Sequence, residues 1–556
     1  MLFAKFRTKS VTTDPPITKH MAATTQPVVP TSISATEEVP RSHAEIMVIM
    51  SALMITMLLA ALDQSIVATA LPRIASDLNG LTKLSWVATA YLITSAIATP
   101  IYGKLGDLYG RKKIFQSAIV LFLVGSALCG VAQNMNELIF FRALQGIGAG
   151  GLISLVLAII GDVIPPRQRG RYQGYFGAVF GVSSVAGPVL GGVLANAHSF
   201  LGFAGWRWIF YINVPLGIIA LTMVAARLHV HKPEQQENQI DYIGAALLAV
   251  SVLSLILVSV WAGVDYAWAS SQIIGLLISS VVFGSLFVLR EHHAAQPIIP
   301  LHLFKSDIMS ISTFLSFFTG IAMFATILYI PLYQQIVRGY SPTKSGLLTL
   351  PLVAGLFIAS MGSGRLVSKS GRYRPYPIIG TLLLGFGMFL FSHLGIATSV
   401  VTISLWMVII GLGLGQLFQI PTLAVQNTVE RKNLGAATST VTFARNIGGA
   451  LGGAIFGTIL ISRLTHHLKE LLPSQVADKV SHGISGGLQQ SVSLPPVIKH
   501  DFLLAYVHAF HDLFLIGIPF VGAAFILALC LREVPLKSTS HDTAERKGFE
   551  KAHAES

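Results

Sequence analysis

One carboxylate stands where lipid tolerates few: the run IMVIMSALMITMLLAALDQSIVATALP, from Ile46 to Pro72, is free of charge except at Asp63. A charged side chain at the centre of a span costs about 2.5–3.5 kcal/mol on insertion scales. It persists chiefly where it meets a partner charge or a water-filled path and moves something. Arg142 lies at a comparable depth in a later apolar run, so the two side chains can face each other. Such a pair keeps the carboxylate ionised until a proton or a cationic substrate competes for it, which is the chemistry of an exchanger. Gln145, one turn beyond Arg142, can share the network. A purely structural ion pair, or an Arg142 that reaches for the interface, is the alternative.

Positioning these residues requires a membrane-embedded scaffold. With 53% hydrophobic and 11% charged residues, the composition is far from that of a soluble domain. Apolar runs fall near residues 46–69, 84–103, 113–133, 137–161, 172–196, 207–226 and 241–262, then near 271–289, 311–337, 345–367, 376–396, 401–425, 436–462 and 502–531. Each is long enough to cross a bilayer, for which about 20 apolar residues suffice. The expectation is an all-α polytopic membrane protein with 14 transmembrane helices.

An even number of crossings puts both termini on one side. The short loops on that side carry most of the Lys and Arg, so it is expected to be cytoplasmic. The same pattern explains the net charge of +13 without nucleic acid, since the basic residues form no groove interleaved with aromatics. Residues 1–45, rich in Thr, Pro and Ser, read as a disordered cytoplasmic tail and not a cleavable signal, and 534–556 as a second such tail. Cys129 and Cys530 fall near opposite faces, too far apart to bridge.

The loop GKLGDLYGRKK at 103–113 matches GRLVSKSGRYR at 364–374, each a glycine-led basic loop on the same side. The repeat implies six helices plus six: bundles at 46–228 and 308–533, with helices 7 and 8 inserted at 240–290. Parallel halves of this kind place a substrate site at their interface near the midplane. The second copy has Ser368 where the first has Asp107.

Within the first copy, Gly103, Gly106 and Gly110 permit a tight turn, Asp107 can sit at the positive amino end of a neighbouring helix, and Arg111 with Lys112 and Lys113 holds the inner face. Either a conformational latch or a topology anchor results. The stretch VFGVSSVAGPVLGG sets Gly177, Gly181, Gly187, Gly191 and Gly192 at close-packing spacing with Pro188 as a kink. In RNIGGALGGAIFG, Arg445 lies near mid-membrane without a readable partner. Asp241 and Asp512 fall at span ends, where solvation is expected.

Taken together, these motifs resemble the major facilitator superfamily, and within it the fourteen-helix drug:proton antiporter group, over residues 45–535. GKLGDLYGRKK resembles the family's motif A, LIFFRALQGIGAGG its motif B and GPVLGG its antiporter motif C. LDQSIVATALPRI, WRWIFYINVPLG and PLYQQIVRGYSPTKSGLLTLP resemble signatures of the fourteen-helix group. The resemblance implies a proton-coupled exporter of amphipathic or cationic drugs in the plasma membrane, driven by the proton gradient with no cofactor, and monomeric. Its proton-coupling residues would be Asp63 and Arg142, its gating motif Gly103, Asp107, Gly110 and Arg111, and its antiporter motif Gly187, Pro188, Gly191 and Gly192, which seals the path between the halves. Ordinary helix packing would use the same glycines.

An exporter of lipids or another endogenous metabolite is the runner-up, and a non-transporting membrane sensor a third reading; the GPVLGG stretch speaks against an uptake symporter. No Walker loop, HExxH or nucleophile elbow offers catalysis or ATP use, so an enzyme is not expected. His508, His511 and Asp512, and likewise His466 and His467, read as interfacial polar residues, with no metal site expected. The connection 464–500 is long for a loop; its amphipathic start, LTHHLKELLPSQVADKV, reads as a helical extension or a hairpin above the membrane, and the segment is expected to modulate substrate exit.

Overall fold

The apolar runs fold as helices because, in lipid, a helix satisfies every backbone polar group within its own segment. A computed structural model of the chain describes residues 43–80, 83–197, 202–228, 240–263, 265–472 and 496–536. The expected tails, apart from residues 43–45 and 534–536, lie outside the described residues, as does 473–495 of the long connection.

Among the described residues, 13 helices are long and apolar enough to span a membrane, and a shorter apolar helix, Pro375–Phe391, completes the series. In chain order they are α1 (His43–Asp77), α2 (Leu84–Tyr109), α3 (Arg111–Val131) and α4 (Met135–Val163). Then come α5 (Pro166–Ala195), α6 (Gly205–Arg227), α7 (Tyr242–Trp261) and α8 (Ser271–His293). The remainder are α9 (Asp307–Ile336), α10 (Thr343–Ser370), α11 (Pro375–Phe391), α12 (Val400–Thr428), α13 (Leu434–Leu471) and α14 (Pro496–Cys530).

Polar residues mark the helix starts. Asn134 accepts from the Glu137 amide at 3.0 Å while the Glu137 carboxylate accepts from the Gln133 amide at 2.8 Å, a reciprocal cap that fixes where α4 begins. Asp241 caps α7 through the Gly244 amide at 2.9 Å and pairs with Arg290 of α8 at 3.0 Å. It is therefore buried, contrary to the solvated role expected of it, because capping and pairing together replace its water.

Burial follows the same division of the chain. One large apolar cluster joins α1 to α6, through residues such as Leu53, Phe122, Leu155 and Val224. Another joins α9 to α14, through Tyr333, Met388, Phe456 and Phe510. The α7–α8 pair packs at the side: Leu248, Val252 and Phe287 meet Ile93 of α2 and Ile447 of α13. Only 11% of the residues in the apolar window of α8 are buried within the protein, the lowest share of the 13 long helices, so this helix turns much of its length outward.

The start of the long connection is helix. Leu460, Leu464 and Leu468 repeat every fourth residue and are buried beside Phe502 and Tyr506 of α14, so α13 continues well past a membrane's thickness. Both cysteines are free, Cys129 buried and Cys530 exposed.

Candidate functional site

Asp63 of α1 is fully buried; α4 and α6 bond it directly, and α2 and α3 support the partners. Arg142 of α4 donates to its Oδ2 at 2.6 Å, and Gln145, one turn along the same helix, donates to Oδ1 at 2.9 Å. Asn213 of α6 donates to the same Oδ1 at 3.0 Å and to Ser126 of α3 at 3.0 Å. The guanidinium of Arg142 also donates to Gln145 at 2.7 Å and lies 4.1 Å over the Tyr91 ring of α2. The structure thus brings Asp63, Arg142 and Gln145 together in an enclosed network within the first six helices, its charge balanced by one cation and its remaining lone pairs by amides.

At the end of the bundle that carries the α2–α3 loop, Gly110 breaks the chain with φ at +93° and lets α3 start at Arg111. Asp107 accepts from the amides of Gly435 and Ala436 at 2.9 and 2.8 Å, in the first turn of α13, where free amides and the helix dipole favour an anion. Arg111 bridges Asp107 at 2.9 Å and Asp162 of α4 at 2.8 Å, and all three side chains are at most 6% exposed. Gly103 allows the approach: a Cβ there would lie 2.7 Å from the Gly435 carbonyl.

The repeat reproduces this seam on the other side. Gly364 of α10 faces Gly170 of α5 so closely that a Cβ would fall 2.0 Å from the Gly170 carbonyl. Ser368, in the place of Asp107, donates to the Arg167 carbonyl. Arg169 donates to the Gly161 and Ile164 carbonyls at the end of α4 and to the Gln426 carbonyl of α12 at 2.9 Å. The second basic loop also pins the end of α14: the Tyr373 hydroxyl donates to the Arg532 carbonyl at 2.8 Å, and burial pushes its phenol up to about 12.

The glycine-rich stretch of α5 packs on α1 beside Asp63. Gly187 faces Ser65, whose hydroxyl donates to the Ser183 carbonyl at 2.9 Å, and Gly191 faces the Ile66 carbonyl. Pro188 is turned to Gly346 of α10, and Gly192 has open space, Thr343 being 4.0 Å from a Cβ built there. Arg445 of α13 lies apart from all of these: its guanidinium donates to the Phe418 carbonyl of α12 at 2.9 Å and covers the Phe418 ring at 3.9 Å.

At the opposite end of the bundle, ligand atoms of His466, His467 and Glu470 come within 4.8 Å of one another. His467 also meets Asp512 of α14 at 3.0 Å, so that aspartate serves as a link between helices. Sequence reasoning missed Asn213, Ser126, Asp162 and Arg169. For Asn213 the available signal was an amide inside the apolar segment YINVPLG; for Asp162, a carboxylate five residues before the Arg167 to Arg171 cluster.

A many-crossing bundle with a buried carboxylate and two closed seams is the architecture of a secondary transporter. The chain belongs to the major facilitator superfamily, whose family model matches residues 53–453. It is 40% identical over 501 residues to an uncharacterized MFS-type transporter of Mycobacterium tuberculosis, covering 90% of this chain and 71% of that protein. It is 40% identical over 403 residues to the multidrug transporter protein MdtP of Bacillus subtilis, covering 72% of this chain and 73% of the relative. Among solved structures, the human organic anion transporter MFSD10 shares the fold with TM-score 0.57 at 14% identity, over 87% of this chain and 99% of that one. The protein is a multi-pass membrane transporter of small molecules, not an enzyme.

Proposed function

We propose that the chain exports amphipathic or cationic drugs and other xenobiotics across the plasma membrane in exchange for protons, as a monomer with both termini in the cytoplasm. The observation that carries this reading is Asp63: a buried carboxylate held by Arg142, Gln145 and Asn213 is a place where one proton can be taken up and given back. Its relatives support the choice of cargo, since those with assigned names in Bacillus subtilis are a multidrug transporter and a multidrug resistance protein.

In this reading residues 46–228 and 308–533 are the two bundles that rock against each other, with 240–290 inserted between them. The excess of basic residues assigns the end with the α2–α3 loop to the cytoplasm. The contacts of Asp107 and Arg169 then close the inner mouth. A proton reaching Asp63 removes the charge that Arg142 pairs with and leaves the guanidinium to find other acceptors, which biases α1 against α4. Gly187 and Gly191 transmit that shift to α5, and the inner seams part. The proton then leaves toward the cytoplasm and drug enters.

Asp63→Asn keeps the size of the side chain and removes the exchangeable proton. Inverted membrane vesicles carrying this variant are expected to insert the protein normally, retain dye binding and lose gradient-driven dye transport. Gradient-driven transport at the wild-type rate would overturn the proposal.

A further inference from the structure

Most buried arginines here are well supplied. Arg142 has a carboxylate, Arg111 has two, and Arg169 has three carbonyls. Arg445 differs. It is 3% exposed, and its guanidinium has one hydrogen-bond acceptor, the Phe418 carbonyl, with no ion pair to any carboxylate among the described residues. A guanidinium offers five N–H donors, and one left without a counter-charge inside a bundle costs several kcal/mol. Packing alone does not account for it, because an apolar side chain of similar length would fill the same space without that cost.

The surroundings show what would meet the free donors. The Phe418 ring that carries the guanidinium touches the edge of Phe180 of α5, with centroids 5.3 Å apart, so the arginine, Phe418 and Phe180 form a stack across the seam between the two halves. One turn along α12, on the face of Phe418, the Thr422 hydroxyl is buried with no partner, and the Oε1 of Gln419 beside it is also unpartnered. A cation and two aromatic rings thus gather at the interface where parallel halves bind cargo, with an unused hydroxyl one turn along α12.

We propose that Arg445 receives an acidic group of the transported molecule, a carboxylate paired with the guanidinium and assisted by Thr422, while the aromatic body of that molecule lies against Phe418 and Phe180. The inference rests on the exporter reading and narrows its cargo to amphipaths that carry an acid, including zwitterions. A purely cationic molecule gains nothing from this subsite, whereas an acid supplies the missing counter-charge.

Pyrenebutyrate and its methyl ester share an aromatic skeleton and differ by one charge. Both would be titrated by fluorescence against the full-length protein in detergent, wild type, Arg445→Gln and Arg445→Lys, with protein-free micelles subtracted. The expected result is that wild type prefers the acid, that Arg445→Gln lowers this preference about tenfold or more, and that Arg445→Lys restores part of it. Ester affinity, equal in all three, shows that the cavity is folded. Equal affinity of wild type for acid and ester, or a preference that survives in Arg445→Gln, would overturn the assignment. Efflux of pyrenebutyrate driven by a proton gradient, measured in vesicles, tests the exporter reading separately. Efflux without an acid preference removes the Arg445 assignment alone, and an acid preference without efflux supports the subsite while removing the exporter reading.

Discussion

Asp107→Asn is the most direct probe of the seam between α2 and α13. The carboxylate accepts two amides, from Gly435 and Ala436 at 2.9 and 2.8 Å, and one guanidinium, from Arg111 at 2.9 Å. Asparagine has one oxygen, so at least one of the amides would face an NH2 group and lose its acceptor. Hydrogen bonds to a charged group contribute about 1.5–3 kcal/mol. Loss of an anion at a helix amino terminus removes roughly a further 0.3–1 kcal/mol. Arg111 keeps Asp162, which limits the loss on that side. The closed arrangement is therefore expected to weaken by about 2–4 kcal/mol, which shifts the equilibrium between closed and open inner mouths by roughly 30- to 1000-fold. Spin labels at Lys113 and Lys369, exposed positions in the two halves, read that mouth by pulsed-dipolar distances in a background lacking Cys129 and Cys530. A new population at longer distance is expected, with substrate binding retained. Identical distance distributions in wild type and Asp107→Asn would refute the reasoning and reduce the loop to a topology anchor.

Gly187→Val would force a Cβ to 2.0 Å from the Ser65 hydroxyl, and overpacking of this kind costs about 1–3 kcal/mol, so both melting temperature and transport should fall. Gly192→Ala, with Thr343 at 4.0 Å, should leave both unchanged, and equal effects of the two would remove the α1–α5 contact from the mechanism. Leu468→Ala empties a fully buried position where α13 rises beside α14. A loss of about 2–5 kcal/mol is expected, read as a lowered unfolding temperature, and an unchanged temperature would show that this extension contributes nothing to the fold. Exchanging residues 473–495 for a short Gly/Ser linker, with the α13 extension kept, should preserve binding of a small dye and slow its release. Complete loss of binding would argue against a central cavity.

The helices were legible in the sequence because lipid imposes a minimum apolar length that few other constraints mimic. The meeting of Asp63 with Arg142 was legible for a similar reason, since two buried charges at matching depth have few ways to be satisfied except by each other. Asn213 and Ser126 were not, because a neutral amide or hydroxyl in a span is cheap enough to occur without a role. Asp162 was hidden by the arginines that follow it, which make a carboxylate look like part of a solvated face. The helix of α13 outruns its apolar run, and of the extension and the hairpin open in the sequence it takes the extension. A membrane needs about 20 residues, whereas the helix runs through 38, because its leucines find apolar partners on α14 beyond the bilayer.

The two glycine seams have unequal strengths, and that inequality has a temporal meaning. Gly103 and Gly364 bring backbone to backbone at equivalent places, but the first contact is fastened by the Asp107 carboxylate, paired with Arg111 and set at a helix amino end, whereas the second has only neutral acceptors, the Arg167 carbonyl for Ser368 and the Gln426 carbonyl for Arg169. Two rigid bodies held at two points part first at the weaker one. The α5–α10 side would then yield before the α2–α13 side, and the inner mouth would open like a door, with Asp107 and Arg111 as its hinge post. Cargo would enter obliquely, past α5 and α10, so residues on those helices would govern which molecules are admitted, while those around Asp107 would govern how often the door opens.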